Sequence, residues 1–408
     1  MPSRPPEPID VAVPAGPFGR AAPLRVWGAE QIASNAQEQM HRAAQLPISV
    51  RAALMPDAHL GYGLPIGGVL ATDGAVIPNA VGVDIACRVK LSVVDLPAHL
   101  VETDPERLGK AIERETRFGV AAAFSPGERE HAVMDEEWST APVALSHRDR
   151  AAKQLGTSGS GNHFVEFGTV EISAADLPIA PGRYLGLLSH SGSRGTGAQI
   201  CEHYRKVAIA EHPELEGEFR NLAWLALDSD AGRAYWNEME LMGRYASANH
   251  ACIHRHVLGR LGAETIFAVE NHHNFAWKER HGDRELVVHR KGATPAAKGV
   301  LGFIPGSMAA PGYLVRGAGD ASSLDSSAHG AGRTMSRTQA LKSLDWKKAN
   351  DVLKRAKVRL LSAGLDEVPF VYKDIDRVMA AQSGLVEVLA SFHPRVVKMA
   401  PSGERPED

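Results

Sequence analysis

No stretch of this sequence is apolar over the eighteen or so residues that a membrane-crossing helix needs. The opening MPSRPPEPIDVAVPAGPFGR sets prolines and acids where a secretory leader needs a continuous apolar run. Cysteine is scarce, with only Cys87, Cys201 and Cys252, which argues against a disulfide scaffold and fits a reducing compartment. Charge of one sign is also missing. Lys+Arg number 45 against 48 Asp+Glu, so a wholesale cationic coat for nucleic acid is excluded, whereas a local basic site is not. The phosphate-loop pattern GxxxxGK[ST] is absent, and ordinary P-loop nucleotide hydrolysis goes with it. Tandem repeats of 20–50 residues are lacking too. These absences lead to the expectation of a cytoplasmic protein with no membrane partner.

What is present is glycine (39), proline (25) and histidine (18) in a chain of 408 residues that is 44% hydrophobic. Such a chain buries a large core, and its many turns favour sites built on backbone. Residues 1–23 hold seven prolines and little patterning, and read as a flexible tail. Residues 24–400 read as one compact unit of mixed α/β (α+β) class, and 401–408 as a second flexible tail. Helices are expected at 29–45, 104–118, 197–210, 230–261, 339–358 and 375–390. Strands are expected at 66–70, 75–77, 89–96, 164–170, up to His190, 264–270 and 285–289. The longest helix places Tyr235, Met239, Met242, Ala246, Ile253 and Val257 on one buried face.

Several polar residues stand where apolar runs meet glycine or asparagine. Asp84 and Cys87 lie in VGVDIACR, His163 in GSGNHF, His190 before SGSRGTG, His273 in VENHHNF and His329 in SSAHGAGR. Strand ends of this kind can converge at one rim of a sheet. Each residue alone has a bland reading: a buried structural cysteine, a hydrogen-bonded histidine, an aspartate closing a turn. Together, a thiolate, a carboxylate and several imidazoles can hold zinc, manganese, iron or cobalt, and the soft thiolate by itself favours zinc. Glycine-rich SHSGSRGTG with Arg194, and HGAGRTMSR with Arg333 and Arg337 four apart, are suited to an anion such as phosphate. If helical, the latter pair shares a face. Arg290, Lys291 and Lys298 form either a second anion contact or a solvated turn. Between Lys342 and Arg359, seven Lys/Arg face two Asp, which is a charged helix face or an RNA-backbone contact.

MPDAHLGYG, IPNAVGVDIAC, GSGNHFVE, LLSHSGSRGTG, NHHNF, HRKGAT, PGSM, HGAGRTMSR and YKDIDRV, in this order from about Val26 to Lys398, resemble the RtcB family of RNA-splicing ligases. The resemblance implies a single-domain fold with a deep cleft around two metal ions. It implies GTP- and manganese-dependent joining of an RNA 3'-phosphate or 2',3'-cyclic phosphate to a 5'-hydroxyl. On this resemblance Cys87 bridges two ions, one also held by His190 and His273, the other by Asp84 and His163. His329 becomes the nucleophile that carries GMP, with a hydrogen bond to its other ring nitrogen setting the tautomer. Glu166 and Lys398 read guanine, Tyr372 stacks near the base, and Asn274 contacts the nucleotide. Asn162, Arg194, Arg333 and Arg337 hold phosphates. Partners implied are broken RNA and GTP, an activating protein being possible, with the chain a monomer or weak homodimer and zinc able to replace manganese in a crystal.

Other readings of the same residues are a two-metal phosphatase or phosphodiesterase, a 3'-phosphate guanylyltransferase, and a catalytically quiet RNA-binding protein. The chain departs from the family pattern at Ala86 and Arg88, which flank Cys87, at Tyr62, where a lysine is usual, and in the ten residues that follow Lys398.

Overall fold

The computed structural model describes residues 7–404. Its eight-stranded sheet carries most of the strand ends of interest. In spatial order it runs Thr265–His272, Arg88–Val94, Gly182–Ser191, Phe164–Ile172, Val386–Met399, Gly312–Gly317 and Leu301–Ile304, with Arg359–Ser362 parallel to Val386–Met399. A six-stranded sheet runs Ile9–Val11, Leu24–Val26, Ser49–His59, Ile66–Thr72, Arg284–Lys291 and Asn274–His281. Pairing is antiparallel in both sheets except at Arg359–Ser362 and between Leu24–Val26 and Ser49–His59. The protein is therefore a mixed α/β domain, and no helix among the described residues is long and apolar enough to cross a membrane.

The register explains how one sheet builds both a core and a cavity. Strand side chains alternate between faces. Leu185 and Leu187 pack with Ile253, Val257 and Leu258 of the long helix Asp230–Leu261 and with Leu108 and Ile112 of the helix Pro105–Glu115. Their neighbours Leu188 and His190 face the other way, into a cavity. Every residue named for the buried face of the long helix is buried. Ser229 caps its start by accepting from Gly232 N, and Gly262 ends it in the left-handed conformation (φ 68°) that glycine adopts without steric cost.

Three expectations need correcting. Residues 7–23 are not simply a tail, because Ile9–Val11 pairs with Leu24–Val26; residues 1–6 and 405–408 lie outside the described residues. The helix expected over 375–390 ends at Ala381, and the chain re-enters the sheet at Val386. Gly384 and the β-branched Val386 and Val388 outweigh the apolar spacing there. The basic stretch is two helices, Arg337–Ser343 and Trp346–Arg355, so Arg333 lies outside any helix and shares no helix face with Arg337.

Two histidines belong to packing alone. Ser189 Oγ lies 2.6 Å from His250 Nδ1 and 2.8 Å from His254 Nε2, all buried between the long helix and the sheet. Burial pushes the His250 pKa down to about 3. Its neutral form thus contributes stability that is fully present above the unfolded value near 6.5 and is lost as pH falls towards 3. Urea unfolding of wild type between pH 7 and 4 should show a falling midpoint, and His250→Gln should flatten that slope. Parallel curves would contradict the assignment.

Candidate metal centre and nucleotide cavity

The sheet register delivers five ligand-type side chains to one rim. Arg88 pairs with Ser191, Val89 with His190, Phe164 with His190 and His272 with Arg88. Asp84 and Cys87 precede the strand Arg88–Val94, His163 precedes Phe164–Ile172, His190 is next to last in Gly182–Ser191, and His273 joins Thr265–His272 to Asn274–His281. Two triads result, Cys87–His190–His273 and Asp84–Cys87–His163, with Cys87 common to both. Cys87 Sγ lies 3.1 Å from His190 Nε2 and 3.4 Å from His163 Nε2. His190 Nε2 lies 3.3 Å from His273 Nε2, and His163 Nε2 lies 3.0 Å from Asp84 Oδ2. None of the five is more than 7% exposed.

Such a cluster has the donor chemistry of a metal site. Burial pushes the His190 and His273 imidazoles well below their ordinary values, so each keeps a lone pair for a cation. Burial opposes ionisation of Asp84, but His163, with help from Cys87 and Arg194, holds its carboxyl below the usual range. His190 Nδ1 donates to the Asn162 carbonyl at 3.1 Å, which leaves Nε2 as the ligating nitrogen. His273 Nδ1 and Asn162 Oδ1 are buried with no hydrogen-bond partner among the described residues, as expected of a place where something else binds. Thiolate, carboxylate and three imidazoles therefore fit one or two divalent ions.

The supporting backbone is tightly specified. Ala86 N donates to Asn274 O at 2.7 Å and His273 N to Cys87 O at 3.0 Å. Asn274 spans the site, donating through Nδ2 to Asp84 O at 3.3 Å and accepting from Gly292 N at 2.8 Å. Arg88 pairs with Glu270 at 2.5 Å and donates to Gly243 O at 2.7 Å, so it braces the cysteine loop and does not line the cavity. A Cβ on Gly192 would stand 2.1 Å from Asp84 Oδ1, so only glycine leaves that carboxylate in place.

The ligands line a cavity of about 610 Å³. On its wall His329 Nδ1 donates to Asp57 Oδ2 at 2.7 Å, and the same oxygen accepts from His329 N at 3.1 Å. Asp57 is fully buried, and Lys373 Nζ anchors its flanking carbonyls, Pro56 O at 3.0 Å and Ala58 O at 2.8 Å. This pairing leaves Nε2 of His329 with the lone pair. The His329 and His273 ring centroids are 4.9 Å apart. Sequence reasoning foresaw a tautomer-setting partner but missed Asp57 and Lys373. Both sat inside quoted motifs, MPDAHLGYG and YKDIDRV, but nothing local linked either to a residue some 270 or 44 positions away.

The remaining expected residues divide. Asn162, Glu166, Asn274, Arg333, Arg337 and Tyr372 line the cavity. Arg333 reaches Glu367 at 3.3 Å and Asp366 O at 2.9 Å, Arg337 reaches Asp366 at 2.8 Å, and the Tyr372 hydroxyl donates to Glu367. The Arg333 guanidinium also lies 5.7 Å from the centre of the Tyr372 ring. Lys291, left open by the sequence, is buried on the cavity wall, donating to Asn79 O at 2.9 Å, and burial lowers its pKa to about 8.

Two of the expected residues stand outside the cavity lining. Arg194 donates to Thr157 Oγ1 at 3.1 Å and Gly119 O at 2.9 Å. Lys398 lies on the opposite face of its strand from Glu166. Glu166 pairs with Val397, and the Lys398 ammonium instead lies 3.9 Å from Glu113.

The profile of the family described as "tRNA-splicing ligase RtcB" matches residues 39–399. This chain belongs to the RtcB family. RtcB relatives similar to it include the RNA-splicing ligase RtcB of Escherichia coli K12, 35% identical over 402 residues that cover 90% of this chain and 95% of the relative. The RNA-splicing ligase RtcB of Mycobacterium tuberculosis is 33% identical, covering 87% and 98%. The tRNA-splicing ligase RtcB of Methanococcus maripaludis is 31% identical, covering 90% and 91%.

Ala86, where the chain departs from the family pattern, sits in left-handed backbone (φ 59°). Ala86→Gly should raise stability by up to about 1 kcal/mol by relieving that conformation; an unchanged or lower urea midpoint would contradict the strain. Gly192→Ala should weaken divalent-metal binding by roughly tenfold or more with the fold retained, read by calorimetric titration and circular dichroism. Unaltered affinity would remove Asp84 from the ligand set.

Proposed function

We propose that this protein is a GTP-dependent RNA ligase that joins an RNA 3'-phosphate or 2',3'-cyclic phosphate end to a 5'-hydroxyl end. The observation that carries the reading is the Asp57–His329 pair beside two ligand triads that share Cys87. A buried carboxylate on Nδ1 makes an imidazole both a better nucleophile at Nε2 and a more stable cation once Nε2 is substituted. Water activation by metals alone would not call for that pair, which disfavours the hydrolase reading.

In the first step His329 Nε2 attacks the α-phosphorus of GTP. An N–P bond forms and the bond to pyrophosphate breaks, while Asp57 holds the Nδ1 proton. The RNA 3'-phosphate oxygen, which a 2',3'-cyclic end yields once water adds at phosphorus and the P–O2' bond breaks, then attacks the histidine-bound GMP, breaking the N–P bond and giving an RNA–ppG end. Finally the 5'-hydroxyl attacks the 3'-phosphorus, a 3',5'-phosphodiester forms and GMP departs. Two manganese ions held by Asp84, Cys87, His163, His190 and His273 would neutralise charge on the transferring phosphoryl groups. Arg333 and Arg337 would take the RNA-end phosphate, exchanging part of their contact with Asp366 and Glu367 for it. Lys291 and the Asn162 amide, which line the cavity, would hold nucleotide phosphates. Asn274 and Tyr372 shape the nucleotide side of the same wall.

Incubation with α-³²P-GTP and manganese should leave acid-labile label on His329, and His329→Ala should abolish it with fold and metal content retained. Asp57→Asn should slow labelling by roughly 10²–10⁴-fold. Phosphate release from RNA ends without any protein label would instead establish a hydrolase. Cys87→Ala should lose bound manganese, and full content in that variant would refute the shared-ligand assignment.

A further inference from the structure

The end of the cavity around Glu166 differs from what a guanine-reading pair of Glu166 and Lys398 would require. The paired strands Phe164–Ile172 and Val386–Met399 place Glu166 opposite Val397 and Phe164 opposite Met399. Residues directly opposite share a face, and alternate residues along one strand do too. Glu166, Phe164, Val397 and Met399 therefore stand together, and all four line the cavity along with Met308. Lys398 and its opposite number Val165 point to the other face. Val165 packs there with Leu108 and Ile112, and the Lys398 ammonium lies 3.9 Å from Glu113 and 5.7 Å from the Phe118 ring centre.

The Glu166 carboxyl is buried and makes no hydrogen bond or ion pair with any other described residue. The cations elsewhere on the cavity wall are held by other groups: Lys291 by Tyr62 O and Asn79 O, and Arg333 and Arg337 by Asp366 and Glu367. A buried, unpartnered carboxyl facing a cavity is costly unless a ligand completes it.

We propose that this end of the cavity seats a purine base, that Glu166 reads the base there without a cation, and that the site takes adenine as well as guanine nucleoside triphosphates. The inference rests on the nucleotide-transfer reading above and specifies its substrate. Guanine is told from adenine by the group at position 6, a carbonyl in one and an amine in the other. An ammonium at that position rewards the carbonyl and rejects the amine, and a site built on such a donor discriminates strongly. The side chains that the register sets beside Glu166, those of Phe164, Val397 and Met399, are aromatic, aliphatic and thioether, and do neither. The carboxyl itself suits both bases. Ionised, it presents two acceptors to guanine N1–H and N2–H; protonated, it presents one donor and one acceptor to adenine N1 and N6–H. Burial without a compensating cation favours the protonated form, which removes the remaining bias towards guanine.

Binding and transfer can be measured separately. Titration calorimetry of GTP and ATP, with manganese, into the His329→Ala protein reads the pocket alone. α-³²P labelling of wild type with each nucleotide reads transfer. The expected result is affinities for ATP and GTP within about tenfold of each other, and a Met399→Lys variant that shifts the ratio at least tenfold towards GTP. A wild-type preference for GTP above about 10³-fold would overturn the inference while leaving the ligase reading intact. Comparable binding of both nucleotides with no label from either would do the reverse, and binding of neither would overturn the inference outright.

Discussion

A single sulfur atom organises this protein. Cys87 Sγ is the ligand atom common to both triads; His163, His190 and His273 reach it from three other strand ends, and Asp84 from its own loop. Crowding a thiol, a carboxylate and three imidazoles into a buried space costs solvation that no apolar packing returns. The surroundings meet that cost with fixed geometry. Asn274 ties the Asp84 loop to Gly292, Arg88 and Glu270 brace the backbone at Ala86, and Gly192 clears room for the carboxylate. Removing a brace would free a ligand to reorient before it changed the fold.

From that sulfur the rest of the cavity follows in order. His273 packs ring to ring with His329, Asp57 fixes the His329 tautomer, and Lys373 fixes the backbone that carries Asp57. Further along the wall Arg333 and Arg337 meet Asp366 and Glu367. On the proposed reading, an incoming phosphate would compete with these carboxylates for the same guanidinium donors.

Much of this was legible in the sequence, and the failures have physical causes. The metal-type residues were readable because each lies where an apolar run meets a turn, and a sheet gathers such ends at its rim. The long helix was readable because apolar residues recur at helical spacing from Tyr235 to Val257, although the buried Asn249 and His250 interrupt the stripe. Lys398 was misplaced although strand alternation held the answer: Glu166 and Val397 share a face, so the residue after Val397 cannot. Arg194 looked like an anion ligand because its neighbours are glycines, but its guanidinium is taken up by Gly119 O and Thr157 Oγ1. Asp57 could not be linked to His329 because the pairing spans 272 positions and arises only from the packing of the six-stranded sheet. The helix expected to reach Ala390 failed because apolar spacing cannot tell a helix end from the start of a buried strand.

The shared sulfur is open to direct observation. X-ray absorption at the manganese edge on the loaded protein should show sulfur in the first coordination shell together with a manganese–manganese vector of roughly 3.5–4 Å. A single manganese surrounded only by nitrogen and oxygen would contradict a centre built on Cys87.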